Sequence, residues 1–387
     1  MTTQVTRPRP PARGLAVLTA ALALVAVTAC GNDAENPATP QPSESSAAPT
    51  APAPMQAAVD RLVSEGFVGA EATVLRDGSV VQYTAGLGDL ATGEPYPRGA
   101  HVRVASLTKS FTSALVLRLV AEGRVELDAP VDRYLPGLLR GEGVDPGAVT
   151  VRHILQHRSG LPEYSQLPEV AVAYDAASTR TFTPKELIEL ALRQPAQFPA
   201  GERMRYTATN YVLAGMLVEK VGGKDLATAL AELTGPLGLS STYLPAAGDH
   251  TIAAPFAHGH DNGADVTALE PSALWTAGGL VSSGTDLVGY YSALMRGEVV
   301  PSAQLEQMQV TVPMEGAGPV GYGLGLMRIP LACGSVAWGH AGDTQGYLAV
   351  VGATEDGSRA MSVTVNQSPK DAFGPAQFVE LLNVALC

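Results

Sequence analysis

The sequence predicts an α/β fold: an antiparallel sheet flanked by N- and C-terminal helices, plus an all-α subdomain inserted at about residues 125–275. Two observations carry the prediction. Strand-like runs gather near both ends of the folded part, and helical runs fill the middle. One sheet assembled from the chain ends, with a helical insertion, is the layered arrangement that satisfies this order.

The elements follow in sequence. Residues 55–64 place apolar side chains at helical spacing. Residues 71–75 and 80–83 read as strands joined by a turn at Arg76-Asp77-Gly78. A polar, strand-like segment, 101–105, gives way to a helix over 110–121. That helix is apolar nearly all round (Phe111, Ala114, Leu115, Val116, Leu117, Leu119, Val120), the mark of a buried helix. Gly123 ends it. Helical stretches follow at 151–155, 184–192, 210–220 and 226–233. Strands return at 336–338, 347–353 and 359–365, and a last helix covers 375–386.

Of the 387 residues, about 330 remain after the N-terminal segment, enough for one large unit with an insertion. The formal net charge is −12 and no lysine- or arginine-rich run occurs. That excludes a nucleic-acid partner, because phosphate binding needs clustered positive charge.

Residues 1–30 read as an export signal. Arg7, Arg9 and Arg13 precede a short apolar run, 15–27, and small residues. The run is too short for a comfortable membrane span. It ends Val27-Thr28-Ala29-Cys30-Gly31, which resembles a bacterial lipoprotein box and implies a lipid on Cys30. The expected location is the outer face of the cytoplasmic membrane, with that lipid as the one membrane contact. A plain cleavable signal, giving a secreted protein, is the alternative, since Val27 and Ala29 also suit an ordinary signal peptidase. Residues 31–54 are Ala-, Pro-, Ser- and Thr-rich with acidic residues and read as a disordered tether before a globular domain at 55–387. Cys333 and Cys387 remain in that domain. In an exported chain they are expected to pair, with two separate buried thiols as the alternative.

The chemistry concentrates at Ser106-Leu107-Thr108-Lys109. Positions i and i+3 share a helix face, so the ammonium reaches the hydroxyl. An amine that loses its proton on desolvation activates a serine. Taken alone, the tetrapeptide reads first as a helix-capping serine with a solvated lysine, since such tetrapeptides are common. Tyr206-Thr207-Ala208 precedes the 210–220 helix, and Tyr206 suits acid/base work if a nearby ammonium lowers its pKa. His340-Ala341-Gly342-Asp343 follows an apolar strand, where a histidine at the strand end can face a cleft. Alone, each of these two reads as structural.

Together and in this order, the three motifs resemble the serine β-lactamase-like family, which includes class C β-lactamases, secreted D-alanyl-D-alanine carboxypeptidases, esterases and D-aminopeptidases. Supporting stretches are His157-Arg158-Ser159-Gly160-Leu161, Pro199-Ala200-Gly201, Thr209-Asn210-Tyr211 and Tyr322-Gly323-Leu324-Gly325-Leu326. The resemblance spans most of 55–387 and implies a β-lactamase/transpeptidase-like fold. It implies Ser106 as the acylated nucleophile, Lys109 and Tyr206 sharing its proton, and His340 lining the cleft to help the proton network or hold a substrate carboxylate. Backbone N–H groups of Ser106 and Asp343 would form an oxyanion hole. The cysteine pair of the carboxypeptidases also brackets the His-x-Gly strand and the chain end.

Two positions depart from the family pattern. Ala208 stands where an asparagine usually grips the acyl side of the substrate. Ala341, ahead of Gly342, stands where a Thr or Ser hydroxyl usually holds a substrate carboxylate. Arg328 is a candidate compensating charge. No cofactor or metal is implied, since the histidines lack ligand spacing. The leading expectation is an exported serine hydrolase acting through an acyl-enzyme as a D-alanyl-D-alanine carboxypeptidase-like peptidase. The alternative is an esterase or other amidase on the same fold, acting on a peptide or small-molecule amide or ester, β-lactams among the candidates. A non-catalytic surface binding protein stands behind both.

Overall fold

Both ends of the domain meet in one sheet of eight strands in the computed structural model, which describes residues 54–174, 178–314, 316–368 and 375–387. The export segment with Cys30 and the tether up to residue 53 lie outside the described residues. No described helix is long and apolar enough to cross a membrane.

The strands are β1 (Gly69–Arg76), β2 (Ser79–Gly86), β3 (Val312–Pro313), β4 (Gly321–Tyr322), β5 (Met327–Pro330), β6 (Val336–Thr344), β7 (Tyr347–Thr354) and β8 (Arg359–Val365). Their order across the sheet is β2-β1-β8-β7-β6-β5-β4-β3, and every neighbouring pair is antiparallel. The expected hairpin turns at Asp77 and Gly78, both with positive φ (49° and 77°). That backbone twist matches the flanking strands.

Five helices position the rest: α1 (Pro54–Ser64), α2 (Thr108–Ala121), α3 (Thr209–Gly222), α4 (Gly284–Met295) and α5 (Pro375–Leu386). Strand alternation sorts side chains to two faces. Ala337, Leu348 and Val350 join the core under α1 and α5, while Trp338, Ala349 and Val351 join the larger core around α2, α3 and α4. On α1, Met55, Ala58, Val59 and Leu62 are buried, the helical stripe read in the sequence. Helix α2 is buried nearly all round, as its composition predicts. Cys333 and Cys387 are bonded, with their Cα atoms 5.8 Å apart, fastening the end of α5 to the loop after β5. The inserted subdomain packs α3 against α2, with shorter helices Val151–Leu155, Pro184–Ala191 and Leu226–Thr234 around it.

Two expectations need correction. The strand placed at 336–338 continues through Thr344, so His340 sits in mid-strand and not at a strand end. Gly339 and Gly342 depress strand propensity, and pairing with β7 on one side overrides it. The strand-like run 101–105 stops at Arg103, because Ala105 turns into the left-handed region (φ 48°). Helix α4 and the short strands β3, β4 and β5 at one side of the sheet escaped the sequence reading. For α4 a signal was present: Ser283 caps it by accepting the Asp286 N–H.

Candidate active site

The left-handed Ala105 opens a single 3₁₀ turn, Ala105–Leu107, that runs directly into α2. Ser106 sits on this corner, ahead of the α-helix itself. Thr108 holds the corner from beneath: its hydroxyl donates to the Ala105 carbonyl (2.6 Å) and accepts the Leu280 N–H (3.1 Å). Such a non-glycine corner stores strain that the surrounding packing sustains.

Lys109 Nζ lies 3.1 Å from Ser106 Oγ and donates to the Ala277 carbonyl at 2.6 Å. It rests over the rings of Tyr206 (4.8 Å) and Tyr211 (5.6 Å). Burial pushes its pKa from the ordinary lysine range down to about 7, against the opposing pull of the Glu163 and Asp343 carboxylates. A neutral amine is therefore well populated near neutral pH. With one N–H on Ala277, its lone pair is available to the Ser106 hydroxyl.

Tyr206 is hydrogen-bonded to Ser106, but its pKa moves up, because burial outweighs that bond. The expectation of a lowered tyrosine pKa is not met, and Tyr206 is a neutral phenol in this site. Lys109, not Tyr206, has the pKa of a base near neutrality.

Strand β6 forms the opposite wall. A Cβ on Gly342 would lie 2.6 Å from the Val104 carbonyl and 2.7 Å from the Ser106 nitrogen, so a glycine is needed for this approach. Asp343 follows it, and its residue lines the same cavity as Ser106. This brings together the two residues whose N–H groups were expected to face an oxyanion.

Three expected substrate contacts fall elsewhere. His340 is fully buried and does not line the cavity. Its Nε2 is 3.1 Å from the Tyr322 hydroxyl and its Nδ1 is 2.5 Å from the Ala341 carbonyl. Burial, then the Lys109 charge, drives its pKa down to about 3, so it is neutral and unsuited to holding a carboxylate. Ala341 turns to the other face of the sheet and packs in the α1/α5 core. Arg328 is exposed on β5 opposite Trp338, away from the cavity wall. Ala208 does line the cavity, and its N–H donates to Glu163 Oε2 at 2.7 Å.

The cavity measures about 1730 Å³ and includes Ser106, Lys109 and Tyr206 in its wall. Glu163, Asp261, Asp265 and Asp343 line it, with Arg205 as the other charged side chain. Gln345 also lines it, its Oε1 buried without a partner among the described residues and its Nε2 3.4 Å from Asp261. Sequence reasoning missed Glu163 and Gln345. Glu163 stands two residues beyond the His157–Leu161 stretch, adjacent to a quoted signal, and Gln345 lies in the Gln345-Gly346-Tyr347 stretch that shares the family resemblance without a site role of its own. Among the described residues, no group of three or more His, Cys, Asp or Glu side chains is placed to hold a metal ion.

Residues 55–385 match the family model described as Beta-lactamase. The sequence is 30% identical over 338 residues to Esterase EstB of Burkholderia gladioli, covering 77% of this chain and 85% of that protein. It is 27% identical over 288 residues to a D-aminopeptidase of Cereibacter sphaeroides, of whose length it spans about half (53%). Among solved structures, a D-stereospecific amidohydrolase from Streptomyces sp. superposes with a TM-score of 0.77 at 34% identity, over 86% of this chain and 98% of that one. D-amino acid amidase from Ochrobactrum anthropi SV3, solved with D-phenylalanine, gives 0.75 at 26% identity, over 86% of this chain and 96% of that one.

Proposed function

We propose that this chain, which belongs to the Beta-lactamase family, is a serine amidase for substrates with a free cationic amine beside the scissile bond. D-amino acid amides and short peptides with an N-terminal D-residue are that class. The observation that carries the reading is the acidic cavity around Ser106, with Glu163 and Asp343 close enough to act on the Lys109 charge. Carboxylates there attract a substrate ammonium and repel a substrate carboxylate. The similarity to a D-stereospecific amidohydrolase and a D-amino acid amidase supports the same class.

In this mechanism neutral Lys109 takes the Ser106 proton as Oγ attacks the amide carbon. The oxyanion faces the backbone N–H groups of Ser106 and Asp343. The lysine proton returns through the Tyr206 phenol to the departing nitrogen, the C–N bond breaks, and the amine leaves. Water then attacks the Ser106 ester, with Lys109 again taking the proton, and free serine and the carboxylic acid result.

A D-alanyl-D-alanine carboxypeptidase needs a partner for a free carboxylate. Ala341 faces away, Arg328 does not line the cavity and His340 is neutral and buried, so that activity takes second place to the amidase. An esterase reading draws support from the similarity to Esterase EstB and uses the same acyl-enzyme on a neutral substrate. D-Phenylalaninamide, p-nitrophenyl butyrate and diacyl-Lys-D-Ala-D-Ala, each assayed beside Ser106→Ala, separate the three. Ser106-dependent release of ammonia from the first supports the amidase, and turnover of the ester alone overturns it. We further place the protein outside the cytoplasmic membrane, lipidated on Cys30. The export-like segment and the Cys333–Cys387 bond support that location. Fatty-acid labelling that survives Cys30→Ala would overturn the lipid assignment.

A further inference from the structure

A chain of hydrogen bonds that the proton transfers do not use lies beneath the reacting groups. His157 Nδ1 accepts the Thr207 N–H (3.2 Å) and lies 3.3 Å from Asn210 Nδ2. The Asn210 amide is oriented by Ser159, whose hydroxyl donates to Oδ1 at 2.6 Å. Two donors on Nδ1 leave the His157 proton on Nε2, which donates to the Tyr322 hydroxyl at 3.2 Å. Tyr322 then donates its own proton to His340 Nε2 (3.1 Å), and His340 Nδ1–H donates to the Ala341 carbonyl (2.5 Å). This single proton arrangement satisfies every link, and His157, Tyr322 and His340 are all fully buried.

The chain ties two walls of the site together. At one end, His157 holds Thr207 and stacks on the Tyr206 ring, with centroids 4.1 Å apart at 32°. At the other, it ends on Ala341, immediately before Gly342 and Asp343 behind Ser106. His157 is kept at φ 56°, a conformation unusual for a side-chain-bearing residue. We propose that His157, Tyr322 and His340 form a positioning relay that sets the Tyr206 phenol and the Asp343 segment of β6 in register about Ser106. The groups facing the two imidazoles are Lys109 from α2, Tyr206 and Tyr211 beside and within α3, and Tyr322 from β4. Both imidazoles are held neutral by burial and by the Lys109 charge, which preserves the donor order. The relay rests on Ser106 as nucleophile and is independent of the amine preference of the cavity.

Stopped-flow acylation by p-nitrophenyl acetate tests it, because that ester carries no amine and reads Ser106 whatever the native substrate is. Tyr322→Phe breaks the middle link and keeps the ring. His157→Asn tolerates the left-handed backbone and keeps an acceptor, but loses the donor to Tyr322. Each variant is expected to bind the ester as the parent does and to acylate about tenfold or more slowly. The double variant is expected to be no slower than the slower single, within about twofold, since the relay is already broken. Acylation within about twofold of the parent, or losses that multiply in the double variant, would overturn the relay. If Tyr322→Phe does not give a cooperative thermal melt, His157→Asn alone decides by the same rate criterion.

Discussion

The two faces of the eight-stranded sheet are built on different physics. Under α1 and α5 the packing is apolar, closed by Leu62, Val350, Val363 and Leu382 and fastened by Cys333–Cys387. Against α2 and α3 the sheet buries Lys109, His157 and His340 together with Tyr211 and Tyr322, and the half-buried Tyr206 packs on His157. The first face contributes stability through removal of apolar surface from water. The second gives up part of that gain to keep an amine neutral and two imidazoles ordered. The difference teaches that the sheet serves one side as core and the other as a template for chemistry. Substitutions should therefore act on stability on one side and on rate on the other.

The largest expected effect is at Ser106. Ser106→Ala should lower kcat by about 10⁴-fold or more on any substrate while leaving the melting temperature nearly unchanged, as steady-state assays and calorimetry would read. Lys109 comes next and crosses the comparison. Lys109→Met should lower kcat by about 10²–10⁴-fold and remove an acid limb centred near the lysine pKa of about 7. The same change should raise stability. In the folded state the Lys109 pKa lies below its ordinary value of 10.5, so folding is penalised fully below about pH 7, and the penalty fades as pH rises towards 10.5. The gain of Lys109→Met should be largest at acidic and neutral pH and vanish in alkali. Thermal melts across that range would show a difference independent of pH if the lysine were fully hydrated.

A third variant, Glu163→Gln, separates substrate grip from chemistry. The amide can still accept the Ala208 N–H through its oxygen, so the loop should hold. Loss of the charge should lower kcat/KM for D-phenylalaninamide by about 10–100-fold, the scale of one charge-assisted bond. Turnover of p-nitrophenyl butyrate should change by less than about threefold, since a neutral ester makes no ion pair. Equal losses on both substrates would make Glu163 a part of the acylating machinery and remove the basis for an amine preference.

What could be read in the sequence follows the same divide. Ser106 and Lys109 are linked by a single turn, so spacing alone brought them together. The α1 stripe and the Asp77-Gly78 hairpin are local as well. His340 was misplaced because a run of four residues does not say which face each takes: Gly339 and Gly342 hid the length of β6, and with it the burial of the imidazole. The turning of Ala341 to the other face follows from the same strand alternation. Glu163 was invisible as a site residue because the folding of the subdomain over α3, not any motif, delivers it to Ala208. His157 and Tyr322 stood inside quoted stretches, yet their link spans 165 residues and exists only once β4 lies beside the subdomain.

The smallest effect on activity should come from the most covalent feature. Cys333 and Cys387 are separated by 54 residues, and closing a loop of that length is worth about 4 kcal/mol in the chain-entropy model. Cys333→Ser together with Cys387→Ser should lower the melting temperature clearly and leave α5 easier to detach from the sheet, which hydrogen exchange along 375–387 would reveal. Yet neither cysteine lines the cavity, and the apolar core under α1 and α5 lies across the sheet from Lys109. At 25 °C, kcat and KM should stay within about twofold of the parent, because a loss of that size still leaves a domain of this kind mostly folded. A drop in kcat without a change in the folded fraction would mean that strain at the chain end passes through β6 to Gly342 and Asp343. The two faces would then be mechanically coupled, and the division between a stabilising face and a reacting face would fail at the one strand that both share.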